Sequence, residues 1–191
     1  RMYTSFGSNW HPNGKKVVFL SDMGDRYGLY TIDPSTSKSS PQLLTDPSYD
    51  VLSAPKIKGH TLFYEGNGVN PYEQHVYRLN MLGGKPEQVT RFAGRNLGYP
   101  SPDGQNLVFM HSNDTSPPEL YAVSSKSGDA KRVTHSPLPA FTERTWVDAN
   151  YDSFPSLLDD YTLHARILKP TNMQPGKKYP VLFGPVYSNT A

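Results

Sequence analysis

A turn ending in glycine recurs at a fixed step in this chain, and that step restricts the available folds more than any other feature. The turns are His11-Pro12-Asn13-Gly14, Lys56-Ile57-Lys58-Gly59 and Ser101-Pro102-Asp103-Gly104, with the glycines 45 residues apart both times. A short apolar segment follows each turn, then a segment carrying a tyrosine, then a threonine. Thr45, Thr90 and Thr134 trail their glycines by 31, 31 and 30 residues. A period in the low-to-mid forties, filled with short strands, is the sequence signature of β-propeller blades. An unrelated all-β sandwich also shows short strands and frequent turns. Two equal steps with matching internal offsets favour the propeller.

Four parts recur in each unit. The first is a strand leading into the turn, over residues 3–9, 51–57 and 95–99. In two of the turns proline and asparagine or aspartate favour type I geometry, and glycine is free to take positive φ; the Lys58-Gly59 turn keeps only the glycine. The second strands, 17–20, 61–64 and 107–110, are apolar with little alternation, which predicts burial on both faces. The third strands, 29–33, 76–79 and 120–123, carry Tyr30, Tyr77 and Tyr121, and the fourth run over 42–45, 87–90 and 131–134. The predicted fold class is therefore all-β, with about three four-stranded propeller blades. Three blades do not close a ring of four to eight, and each blade buries its apolar faces only against neighbours. The chain by itself is accordingly expected to expose blade faces and to be marginally stable.

Composition agrees. With 36% hydrophobic and 19% charged residues, 13 tyrosines and 8 phenylalanines, the chain is globular rather than disordered. Its net charge of +2 and its basic pairs, Lys15-Lys16, Lys131-Arg132 and Lys177-Lys178, do not make a nucleic-acid footprint. There are no cysteines, which excludes disulfides, thiolate catalysis and cysteine-bound zinc. No stretch approaches 18 apolar residues, so no membrane-spanning helix is expected. The chain opens inside a predicted strand and stops soon after another, so the expectation is a piece of a larger protein.

After Thr134 the repeat stops. Ser136-Pro137-Leu138-Pro139 breaks it, and position 149, one further step on, is alanine. Residues 143–149 and 151–157 read as irregular strands. Residues 161–168 alternate as a half-buried antiparallel strand does. Residues 169–178 form a loop with Pro170, Pro175 and Gly176, and 179–183 read as a buried strand.

The Ser-Pro-Asp-Gly type of turn, the tyrosine strands and the closing threonines resemble the propeller repeats of TolB and of the prolyl oligopeptidase family. The tail sharpens the likeness. An alternating strand ending Leu168-Lys169-Pro170, a loop, then Lys177-Lys178-Tyr179-Pro180-Val181-Leu182 and Val186-Tyr187 resembles the start of that family's α/β-hydrolase domain, most closely in the dipeptidyl peptidase IV branch. The resemblance implies propeller blades over 1–135, a linking segment over 136–158 and the first strands of a hydrolase domain over 159–191. It implies hydrolysis of peptide bonds, often after proline, by a serine–histidine–aspartate triad, with peptides as substrates and the propeller covering the active site. A periplasmic or secreted location and a homodimer of the longer protein are further expectations.

The triad needs an exposed serine whose proton passes to histidine, held in this fold by a G-x-S-x-G elbow. No such pentapeptide occurs in these 191 residues, so the chain alone is expected to be inactive. The resemblance does assign Tyr187, the tyrosine of the Val-Tyr pair, as an oxyanion donor. Ser188-Asn189-Thr190 follows it where the family has a glycine-containing segment, and Gly184-Pro185 precedes it. The branch binds a substrate's amino terminus with a glutamate pair, and no Glu-Glu pair occurs here; Glu73 and Glu143 stand apart. His11, His60, His75, His111, His135 and His164 show neither i, i+4 nor His-x-His pairing, so no metal or cofactor is expected. Asp22 and Asp25 lack EF-hand spacing, Asp159-Asp160 read as a turn, and Asn113-Asp114-Thr115 fits a glycosylation sequon. The rival reading is a non-catalytic propeller used for protein binding.

Overall fold

The computed structural model describes residues 7–68, 70–126 and 129–184. They divide after Trp146 into two compact units. The first unit holds three four-stranded antiparallel sheets, each a meander in chain order. The first sheet is β1 (Asn9–Trp10), β2 (Val17–Ser21), β3 (Gly28–Ile32) and β4 (Gln42–Leu43). The second is β5 (Lys56–Lys58), β6 (Thr61–Gly66), β7 (His75–Asn80) and β8 (Glu87–Gln88). The third is β9 (Arg95–Pro100), β10 (Asn106–Ser112), β11 (Glu119–Ser124) and β12 (Lys131–Arg132). One blade per repeat is what the 45-residue step predicts.

The repeating turns work as their residues require. Gly14, Gly59 and Gly104 all lie at positive φ, +67°, +57° and +68°, where a Cβ is strained. In the first and third turns the glycine N–H closes the turn onto the carbonyl of His11 or Ser101, 2.9 Å in each case. The side chains of Asn13 and Asp103 accept N–H groups two residues on, from Lys15 and Gln105. Between β5 and β6 the loop shrinks to Gly59-His60, with glycine in the first position, as two-residue hairpins with one positive φ demand.

Burial follows position in the stack. In the central blade β6 is buried along nearly all its length. Its Leu62 and Tyr64 pack against Val18, Leu20 and Leu29 of the first blade. Phe63 and Val76 pack against Leu107, Phe109 and Val123 of the third. The outer second strands differ from expectation: β2 and β10 alternate between buried and more exposed positions, because each is covered on one face only. The far face of the third blade leaves Tyr99 57% and Val108 39% exposed.

A half-buried ion pair ties the second blade to the third, its carboxylate buried and its lysine partly exposed. Lys56 Nζ lies 2.7 Å from Glu65 Oε1, and both reach the backbone of Gly98, the carboxylate accepting its N–H at 3.0 Å and the ammonium donating to its carbonyl at 2.8 Å. A Cβ on Gly98 would sit 2.7 Å from Val76 Cγ2. The blades meet too closely there for any side chain.

Two expectations for the repeat are corrected. The lead-in strand over 51–57 begins only at Lys56, because Pro55 has no N–H to donate. Upstream, Val51 makes an isolated bridge to Gly66, and Ser53 Oγ accepts the Glu65 N–H at 2.9 Å in place of a backbone carbonyl. The fourth strands are two residues long rather than four, for a reason taken up below.

Beyond β12 the chain makes a helical turn, α1 (Pro139–Thr142), and residues 143–149 form no strand, unlike the expectation. Trp146 stacks on Phe141 at 4.5 Å and donates Nε1–H to its carbonyl, which holds 136–146 in a turn. The second unit is a two-stranded antiparallel sheet of β13 (Asn150–Pro155) and β14 (Thr162–Ile167). β14 lies within the predicted strand but is exposed rather than half-buried, since no layer covers a lone hairpin. The strand predicted over 179–183 does not form: no described strand pairs with it, and Leu182 and Phe183 are 97% and 90% exposed. No α/β-hydrolase domain is present among the described residues. No described helix is long and apolar enough to cross a membrane.

Candidate functional site

The closing threonines do the same job three times. Thr45, Thr90 and Thr134 accept the N–H of Leu29, Val76 and Leu120 on their hydroxyl oxygens, at 3.2, 2.9 and 2.9 Å. The residue before each threonine donates its own N–H to the carbonyl of that same partner, at 2.8, 2.7 and 2.7 Å. The hydroxyl thus takes over the ladder two residues beyond the ends of β4, β8 and β12, which is why those strands stop early.

The residue before each partner differs, and chemistry enters there. In the first blade it is Gly28, in the second His75, in the third Glu119. His75 Nε2 lies 2.7 Å from Glu73 Oε2, while its Nδ1 faces Thr90 Oγ1 at 3.4 Å. Carboxylate, imidazole and hydroxyl in line have the connectivity of a nucleophile triad. The site cannot act as one. Thr90 is 1% exposed and its oxygen already accepts the Val76 N–H, so no substrate reaches it. The arrangement is a buried polar clasp.

The clasp extends into the third blade. Asn96 donates Nδ2–H to the carbonyls of Gln74 and Phe92, at 2.9 and 2.8 Å, and its Oδ1 lies 3.1 Å from His111 Nδ1. An amide oxygen only accepts, so His111 carries its proton on Nδ1. Burial lowers the His111 pKa and the nearby His75 lowers it further, against an opposing backbone contact from Arg95. The imidazole is neutral at neutral pH.

His111 opens onto a cleft of 620 Å³. Its walls are residues 91–93, which join the second blade to the third, the loop between β10 and β11, and α1. Phe92 stands edge-on to His111 and to Tyr121, at 5.2 and 5.0 Å between ring centres. On the floor the Glu119 carboxylate, 4% exposed, accepts the Ser136 N–H at 2.6 Å, the Thr134 hydroxyl proton, and an ion pair from Arg132 at 3.0 Å. Burial opposes its charge, but the Thr134, Ser136 and Arg132 donors outweigh that and hold its pKa below the ordinary 4.5.

Of the residues singled out in the sequence, Tyr187 lies outside the described residues. Glu73 and Glu143 are not brought together as a substrate clamp: Glu73 is bonded to His75 and Asn70, and Glu143 closes α1 through its backbone N–H. Among the described residues no three histidine, aspartate, glutamate or cysteine side chains cluster as metal ligands would. Sequence reasoning missed Asn96 and Glu119, weighed His75 and His111 only as metal ligands, and took the threonines as markers only. The available signal was position: each closing threonine faces the residue that opens its tyrosine strand.

Residues 2–118, which take in the first two blades and β9 and β10 of the third, match the family described as the dipeptidyl peptidase IV (DPP IV) N-terminal region. The chain belongs to this family. It therefore lies in the dipeptidyl peptidase IV-like branch of the prolyl oligopeptidase family. Among curated relatives, dipeptidyl peptidase 8 of Homo sapiens is 31% identical over 138 residues, covering 64% of this chain and 14% of that protein. The probable dipeptidyl-aminopeptidase B of Aspergillus oryzae is 24% identical over 194 residues, covering 95% of this chain and 21% of that protein. The crystal structure of Porphyromonas gingivalis dipeptidyl peptidase 4 shares the fold with a TM-score of 0.71 at 18% identity, over 93% of this chain and 24% of that one. The chain thus spans between about a seventh and a quarter of the proteins it resembles.

Proposed function

We propose that this chain is the blade array of a serine-type peptidase together with the approach to its catalytic domain, and that the propeller governs which peptides reach the active site. The match of residues 2–118 to the dipeptidyl peptidase IV N-terminal region carries this reading. In it, residues 1–135 are propeller blades, 136–158 a linking segment, and 159–191 the lead into an α/β-hydrolase domain that supplies the triad. Residues 1–191 alone hydrolyse nothing. A propeller that only binds proteins is the weaker reading, since both curated relatives carry peptidase names and the tail over 161–187 would have no counterpart in it.

Tyr187 is assigned the oxyanion role in this reading, its phenol donating to the charge that develops as the scissile carbonyl is attacked. Removing one such donor costs about 10²–10³ in kcat. In the full-length protein, Tyr187→Phe is expected to lower turnover of a short proline-containing peptide by that factor and leave the melting temperature unchanged; unchanged turnover removes the assignment. The peptidase reading itself is tested by labelling the full-length protein with a fluorophosphonate. Labelling at a serine within G-x-S-x-G, followed in sequence by an aspartate and a histidine, supports it. A full-length sequence without that elbow overturns it.

A further inference from the structure

The third-blade cleft belongs to no part of the triad chemistry, yet it brings three aromatic rings and two arginines together in one open cleft. At 620 Å³ it falls within the range of small-molecule pockets, which are lined by aromatic groups with a few convergent polar ones. Phe92, Tyr121 and Phe141 supply the rings. Edge-to-face and offset geometries against such rings favour another aromatic over an aliphatic guest.

Charge fixes the rest of the ligand's chemistry. Glu119 is neutralised within the protein by Arg132 and three further donors from Thr134 and Ser136. Arg91 stands exposed in the wall beside Phe92 and forms no ion pair among the described residues. With His111 neutral, the cleft carries one uncompensated positive charge. A guanidinium fork matches a carboxylate in two parallel hydrogen bonds. We propose that this cleft binds the end of a peptide whose last residue is phenylalanine or tyrosine, the ring lying among Phe92, Tyr121 and Phe141 and the terminal carboxylate on Arg91. The site lies outside the proposed hydrolytic chemistry and selects by the carboxyl end of a chain.

The test is isothermal titration of the full-length protein with N-acetyl-phenylalanine and with its amide, after fluorophosphonate treatment so that a catalytic serine is already occupied. The acid is expected to bind at least about tenfold more tightly than the amide, the factor that one charge-assisted contact of about 1.4 kcal/mol supplies. Arg91→Ala should remove that preference while the amide binds as before. Trp146, stacked on Phe141, gives a second readout, since its fluorescence should change on saturation with the acid. Equal binding of acid and amide overturns the proposal, as does an Arg91→Ala variant that keeps the preference, or no heat from either compound up to about 10 mM, a concentration that would reveal even a millimolar complex. Labelling by the fluorophosphonate is scored separately, so failure of the cleft and failure of the peptidase reading are distinguishable.

Discussion

A hydroxyl that replaces a backbone carbonyl makes each closing threonine a testable residue. Thr90→Val keeps the shape but strands the buried Val76 N–H, and an unpaired buried donor costs about 1–3 kcal/mol. The variant should lower the unfolding free energy measured by urea titration by that amount, and Thr90→Ser should recover most of it. Equal loss in both variants would mean that packing, not the hydroxyl, matters. Acid sensitivity also belongs to single residues. His111 and Glu119 both have depressed pKa values in the folded chain, so the unfolded chain binds protons more readily and stability falls as pH drops. The His111 contribution is complete above its ordinary 6.5 and is lost below it. That of Glu119 is complete above 4.5 and is lost as pH falls through its lower folded value. Urea midpoints measured from pH 8 to 3 should therefore decline in two stages, and Glu119→Gln should make the second shallower, Asp33, Asp46 and Asp103 also being held low by serine hydroxyls and N–H groups.

At the scale of elements, what matters is how closely two strands approach. Gly98→Ala introduces a methyl 2.7 Å from Val76 Cγ2, and overpacking of this kind costs about 1–3 kcal/mol. Val76→Ala should be less damaging in the Gly98→Ala background than in the wild-type chain, a non-additivity that a double-mutant cycle reads directly. Gly14→Ala meets open space and should cost only the left-handed backbone penalty of about 1–2 kcal/mol. Second and third strands were legible in the sequence because apolar runs and turn glycines are local signals. The two-residue outer strands were not, since their length is decided by a side chain folding back on the ladder. The strand expected over 179–183 failed for the opposite reason. Its apolar pattern states what it would bury, but a strand also needs a neighbour to pair with. The clasp of Glu73, His75, Asn96 and His111 was invisible because it is assembled from two blades, with partners up to 21 residues apart.

Taken whole, the first unit is a stack whose middle layer is satisfied and whose outer layers are not. The 191-residue chain alone is expected to bind a hydrophobic dye such as ANS at neutral pH and to unfold over a broad urea range. A sharp transition of a monomer without dye uptake would contradict this. The same short outer strands described above have a consequence for behaviour at high concentration. An edge strand recruits foreign chains when it offers a long row of unpaired backbone groups. Here the outer rim presents only Gln42-Leu43, Glu87-Gln88 and Lys131-Arg132, pairs too brief to template a cross-β ladder, and the six-residue β9 at the opposite edge of the third sheet has Asn96 and Gly98 already bonded to the second blade. If such chains cluster, they should do so through their flat apolar faces, giving soluble oligomers that dissolve on dilution rather than thioflavin-positive fibrils.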